Sequence, residues 1–238
     1  MSYSSQKTAD WVAVFRGLKY DIERGAYSPG EDLPTISGLA KLTGLTKHGA
    51  RRAMEKLCAE GLAQSWQGKG FRVTMPRIRV NLNERKPVFA KQVQAQGFEA
   101  GSQMLSGDER RLPPHLADRM ECRAGTTVLL TETLRKVNGC NVALSVDYFR
   151  KDRLDGIIDT LRDTGSVSQS LALYGVHSYS RDRTLFETRL PSAHEALILG
   201  ISRLQPVSAT IGANLSEDGS VLQISQGIWR GDCVIYEV

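Results

Sequence analysis

The chain has few of the residues that build metal centres or disulfide scaffolds. Among 238 residues there are four cysteines and four histidines, with no CxxC pair and no His/Cys spacing of a zinc site. Cys58, Cys122, Cys140 and Cys233 are too scattered for a disulfide framework, so they are expected as reduced thiols in a cytoplasmic protein. The opening "MSYSSQKTADW" has no apolar core, so no signal peptide is expected, and no run approaches the ~20 apolar residues of a membrane helix. Repeats and low-complexity tracts are missing. So are paired carboxylates and any Ser/His/Asp order that suggests a catalytic set. The expectation is a protein that is not an enzyme, has no cofactor and makes no membrane contact. The competing expectation, an enzyme acting through its C-terminal part, has no such set to support it.

Charge is plentiful and unevenly placed. The net charge is +5. Residues 1–80 hold 13 Lys and Arg against 7 Asp and Glu, or +6, while residues 81–238 hold 18 against 19, or −1. A basic first third beside a neutral remainder points to a nucleic acid or a membrane surface as its partner.

Apolar spacing in "DWVAVFRGLKYDIER" (10–24) predicts a first helix capped by Asp10. "GAYSPGEDLP" ends it with two glycines and two prolines. Thr35 caps a second helix that stops at Gly44, and Thr46 caps a third that runs to about Glu60 and ends at Gly61. "LAQSWQGKGFRVTM" then reads as a hairpin with a flexible tip. This order is that of a winged helix-turn-helix. On the third helix Ala50, Met54 and Leu57 share the inner face, which leaves Lys47, His48, Arg51 and Arg52 pointing outward. Residues at the start of such a helix read base edges in the major groove. Thr35 and Ser37 at the second helix, Thr46 at the third, and Gly68, Lys69 and Gly70 at the hairpin tip are the expected backbone and minor-groove contacts.

Residues 10–74 carry the order PG-x-x-LP, Arg51, L-x-x-EGL and G-x-G, and in this they resemble the DNA-binding domain of GntR-family bacterial repressors. Lys47 and Gly49 stand where that family usually has Arg and Thr. The resemblance implies a homodimer on palindromic double-stranded operator DNA.

The fold class expected is α+β: a winged helix-turn-helix at 1–75, a linker or crossing strand at 76–86, and a domain at 87–238 built around an antiparallel sheet. In that last domain "TTVLLTETLRKVNGCNVALSVDYF" (126–149) predicts two strands about Asn138-Gly139. "DRLDGIIDTLRD", "GSVSQSLALYGV" and "SAHEALILGI" predict helices. Three strands follow, turning at Asp218-Gly219 and Arg230-Gly231-Asp232. "G-T-T-V", "R-x-x-N-G", "GSVSQSLALYGV" and "EDGSVLQISQGIWRGD" together resemble the effector-binding UTRA domain of the HutC subfamily. "TRLPSA", Glu195-Ala196, Gln205-Pro206-Val207 and Asn214 are similar to regulators of phosphonate utilisation of the PhnF type.

By that resemblance the effector is a phosphonate such as 2-aminoethylphosphonate, or a phosphate-containing metabolite, that releases a repressor from a catabolic operon. A HutC-type regulator of another small metabolite is the alternative. The subfamily's R-x-R pair is reduced here to Thr133 and Arg135, and its usual Glu near the end of the domain is Gln223. A tetrahedral oxyanion needs guanidinium and hydroxyl donors. Arg135 and Ser166 lead the candidates; Tyr148, Arg183 and Arg230 complete them, although Arg230 in its tight turn also reads as structural. Gly165-Ser166 opens a helix whose N-terminus suits an anion.

Overall fold

A computed structural model describes residues 10–66, 70–75, 77–81, 84 and 88–237. The chain divides between Pro76 and Arg77 into two compact units.

The first unit holds α1 (Trp11–Glu23), α2 (Ile36–Thr43) and α3 (Lys47–Ala59), then β1 (Ala63–Trp66) and β2 (Gly70–Val73). Each helix starts where a side chain accepts an otherwise unpaired N–H: Asp10 from Val12, Thr35 from Gly38 and Thr46 from Gly49. Gly44, at φ +71°, takes the left-handed turn that separates α2 from α3. Phe15, Leu18, Leu39, Met54, Leu57 and Val73 close one shared core. The Pro-Gly segment before α2 also lies along the wing. Gly30 and Leu33 donate to the carbonyls of Val73 and Phe71, and Arg72 Nε meets Asp32 at 2.8 Å.

The second unit starts with β3 (Ile78–Asn81), inside the segment expected as a linker or crossing strand. It pairs in parallel with the last strand, β11 (Val234–Glu237). On its free edge α4 (Phe89–Ala95) supplies two glutamines that imitate a neighbouring strand. Gln96 bonds both N–H and carbonyl of Arg79, and Gln92 does the same for Asn81.

Next come β4 (Ala100–Arg111), α5 (Ala117–Met120), β5 (Thr127–Val137), β6 (Cys140–Arg150), α6 (Lys151–Leu154), α7 (Ile157–Thr164), α8 (Val167–Leu173), β7 (Ser180–Arg181), β8 (Leu185–Arg189), α9 (Ala193–Leu199), β9 (Val207–Leu215) and β10 (Val221–Arg230). Seven strands form one antiparallel sheet in the order β4-β5-β6-β10-β9-β7, with β8 also on β9. Asn138 and Gly139, at φ +48° and +80°, make the β5–β6 turn.

One face of the sheet packs α5 around Met120 and Ile224, and α9 around Leu199 and Ile228. The other face packs α6, α7 and α8 around Phe149, Leu154, Leu161 and Leu171. The helix expected through "DRLDGIIDTLRD" is two helices, because Gly156 at φ +80° interrupts it. No helix among the described residues is long and apolar enough to cross a membrane.

Candidate functional site

The first candidate surface is the outer face of α3. Packing of Ala50, Ala53, Met54 and Leu57 inward leaves Lys47, His48, Arg51 and Arg52 exposed. The ion pairs of this helix lie at its far end, where Lys56 and Lys19 meet Glu60. Arg52 is set apart from the other three: its guanidinium lies 4.5 Å from the Trp11 ring centre, which steers it along α1. Gly49 faces α1. A Cβ there would stand 3.4 Å from Leu45, 3.5 Å from the Thr46 hydroxyl and 3.7 Å from Trp11, all ordinary contacts. Thr35 and Thr46 are exposed, but their hydroxyls already accept from Gly38 and Gly49 at 3.1 Å, and Ser37 is exposed beside them. Gly70 opens β2 at φ +109°. Gly68 and Lys69 lie outside the described residues.

The second candidate is a cavity of about 1060 Å³ on the α7–α8 face of the large sheet. Its floor is polar where a sheet interior is ordinarily apolar. Ser145 and Asp147 on β6, Gln223 and Ser225 on β10, and Gly212 and Asn214 on β9 all face it. Each pair is spaced by two residues, the period of a strand. Arg135 on β5 and Ser166 before α8 line it as well.

Tyr148, Arg183 and Arg230 do not line this cavity. Tyr148 follows Asp147 and so points through the sheet, where it packs against the α5 core. Arg183 is exposed between β7 and β8. Arg230 is 6% exposed and holds Asp232 in a two-pronged pair while also donating to the Asn141 carbonyl.

An oriented relay crosses the floor. Asn214 donates to Gln223 Oε1 at 2.6 Å, and Gln223 Nε2 donates to Asp147 Oδ1 at 2.7 Å. Asp147 is 2% exposed. Burial pushes its carboxyl up, opposed by the Ser225 hydroxyl, the charges of Arg135 and Arg181, and the Gln223 amide. Arg135 donates to Ser102 at 3.0 Å and Ser145 at 3.3 Å, and its guanidinium lies 5.9 Å from the Phe89 ring centre. Burial lowers the Arg135 guanidinium. Ser166 caps α8 through Gln169 N at 3.4 Å. The arrangement can hold a small polar ligand with an anionic part.

Asp147, Arg181, Asn214 and the small residues of β9 and β10 were missed in the sequence. Their signal is there: T-x-G-x-N, S-x-D and Q-x-S-x-G put polar or small residues at every second position of apolar strands.

Comparison with known proteins finds a family match for each of the two units. Residues 12–73 match the family "Bacterial regulatory proteins, gntR family", and residues 95–234 match the UTRA domain. The "Probable transcriptional regulator PhnF" of Escherichia coli is 28% identical over 89% of this chain and 87% of its own. The "HTH-type transcriptional repressor NagR" of Bacillus subtilis is 22% identical over 93% and 90%. The crystal structure of PhnF from Mycobacterium smegmatis superposes with a TM-score of 0.62 at 22% identity, covering 94% of this chain and 97% of that one, which shows a shared fold.

Proposed function

The chain belongs to the GntR-type transcriptional regulators that carry a UTRA domain, and from that premise we propose that it represses an operon for phosphonate uptake or degradation. A small phosphonate or phosphate-containing anion, 2-aminoethylphosphonate being the leading candidate, enters the C-terminal cavity and releases the operator. The observation that carries this proposal is the arginine-bearing cavity in a chain that also exposes the basic start of α3. The likeness to PhnF regulators directs the choice of ligand.

Two chains read a palindrome, each placing Lys47, His48 and Arg51 in the major groove with Arg52 beside them near the backbone. Thr35, Ser37, Thr46 and the wing from Gly68 to Gly70 meet phosphates and the adjacent minor groove. In the cavity Arg135 and Ser166 are the primary anion contacts. Binding lowers operator affinity only to the extent that the ligand prefers the state that does not hold DNA.

A second ligand class, sugar phosphates, is favoured by two features of the cavity. Its volume exceeds the need of a two-carbon phosphonate, and Asp147 in its wall accepts from hydroxyl or ammonium groups.

The test is a footprint upstream of the neighbouring operon with the full-length protein. A protected palindrome that is lost on adding 2-aminoethylphosphonate or a sugar phosphate is the expected result. An unprotected region, or protection indifferent to every such anion, refutes the proposal.

A further inference from the structure

The charges around the cavity do not balance. Arg135 and Arg181 both act on Asp147, yet neither forms an ion pair with it. Arg135 spends its donors on the Ser102 and Ser145 hydroxyls. The side chain of Arg181, on β7 opposite Asn214, makes no hydrogen bond and no ion pair among the described residues. Its Nε is shut away from solvent with no partner. Burial lowers its guanidinium, opposed first by Asp147 and then by Tyr179. A guanidinium whose Nε is shut from water with no partner carries a desolvation cost that its neighbours do not offset. Such costs collect where a ligand of opposite charge completes the set.

The backbone beneath Arg181 is cut to fit it. A Cβ on Gly212 would stand 2.9 Å from both Cδ and Nη1 of Arg181 and 3.2 Å from the Thr184 hydroxyl. Gly212 is not at positive φ, so backbone freedom is not the reason for a glycine there. A Cβ there would push the end of the Arg181 side chain aside. Both Gly212 and Arg181 line the cavity.

We propose that Arg181 is an effector-binding residue, the second guanidinium of an oxyanion clamp whose first is Arg135. The clamp spans the sheet from β5 to β7. Asp147, held by Gln223 and Ser225, sits between the two arginines as their shared counter-ion. It limits the excess positive charge and favours ligands that pair an oxyanion with a hydrogen-bond donor. This inference rests on the proposal that the cavity takes an anionic effector.

The experiment is calorimetric titration of the full-length protein at fixed ionic strength with inorganic phosphate, methylphosphonate and 2-aminoethylphosphonate. Wild type is compared with R181Q, R181K, R135Q and G212A, and with R203Q, an exposed arginine outside the cavity, as control. R181Q is expected to weaken binding at least ~10-fold, with R181K recovering part of the loss, G212A intermediate and R203Q unchanged. Ligand-free R181Q should melt no lower than wild type, because a cation with a buried, unpartnered Nε has been removed; a purely structural arginine predicts a lower melting temperature. Wild-type affinity in R181Q overturns the assignment, and if R135Q loses binding in the same series the anion site stands without Arg181. Failure of wild type to bind any of the three anions removes the anionic effector and the clamp together.

Discussion

Arg51 on the head and Arg181 in the C-terminal sheet are the same side chain in opposite surroundings. Arg51 stands exposed on a helix face, in a region of net positive charge, where solvent screens it and a polyanion is the kind of partner such a face suits. Arg181 is half-buried beside one carboxylate it does not touch, with its Nε shut from solvent. The first is recognised by its crowd, the second by what its neighbours fail to provide. A basic surface is therefore a statement about charge density, whereas a buried arginine is a statement about hydrogen-bond accounting.

That contrast can be broken most severely at Arg230, a buried arginine that is fully paired. Arg230→Ala leaves Asp232 without its partner and should cost about 3–5 kcal/mol of unfolding free energy in denaturant titration. A loss much below that range would erase the distinction between paired and unpaired buried arginines. Arg51→Ala should leave stability intact and weaken operator binding by about 1–3 kcal/mol, seen as a gel-shift displacement. Operator affinity should fall steeply with salt, by ~0.9 log unit per log unit of salt for each phosphate met, while anion binding in the cavity should fall far less. Equal salt slopes would put both sites at the surface.

Smaller effects test the local devices. Thr46→Ala removes the cap of α3 and should lower stability by about 1 kcal/mol, with operator binding weakened in step as the start of the helix frays. Glu195 gives a pH signature in the second unit. Its carboxylate accepts from Arg189 at 2.7 and 2.8 Å and caps α9, and these bonds hold it below the usual carboxylate range. The unfolded chain then binds the proton more readily, so stability rises with pH through that window. The contribution is present above the ordinary value near 4.5 and is lost as pH falls through the lowered native one. Glu195→Gln should therefore melt lower than wild type at neutral pH, by up to ~1 kcal/mol, and match it in acid.

The head was legible almost residue by residue. Asp10, Thr35, Thr46 and Gly44 act within a few residues of themselves, so the string of letters contains both partners of each bond. The Asn138-Gly139 turn was legible for the same reason. Strands β4 and β8 were not, because they lie at sheet edges with much of their surface exposed and carry no apolar alternation. The effector candidates divided along the same line. Arg135 and Ser166 line the cavity, while Tyr148 sits one residue out of phase with Asp147 and therefore on the opposite face.

The sequence by itself determined a basic winged helix-turn-helix followed by an α+β domain, because caps, turns and helical periods are bonds between near neighbours. Only the tertiary structure decided that Asp147, Gln223, Asn214, Arg135 and Arg181 meet, since they come from five strands, two of which pair residues as far apart as Ala143 and Trp229. Those pairings are fixed by the burial of two whole sheet faces. No local run of residues encodes a cavity whose floor is shared among several strands.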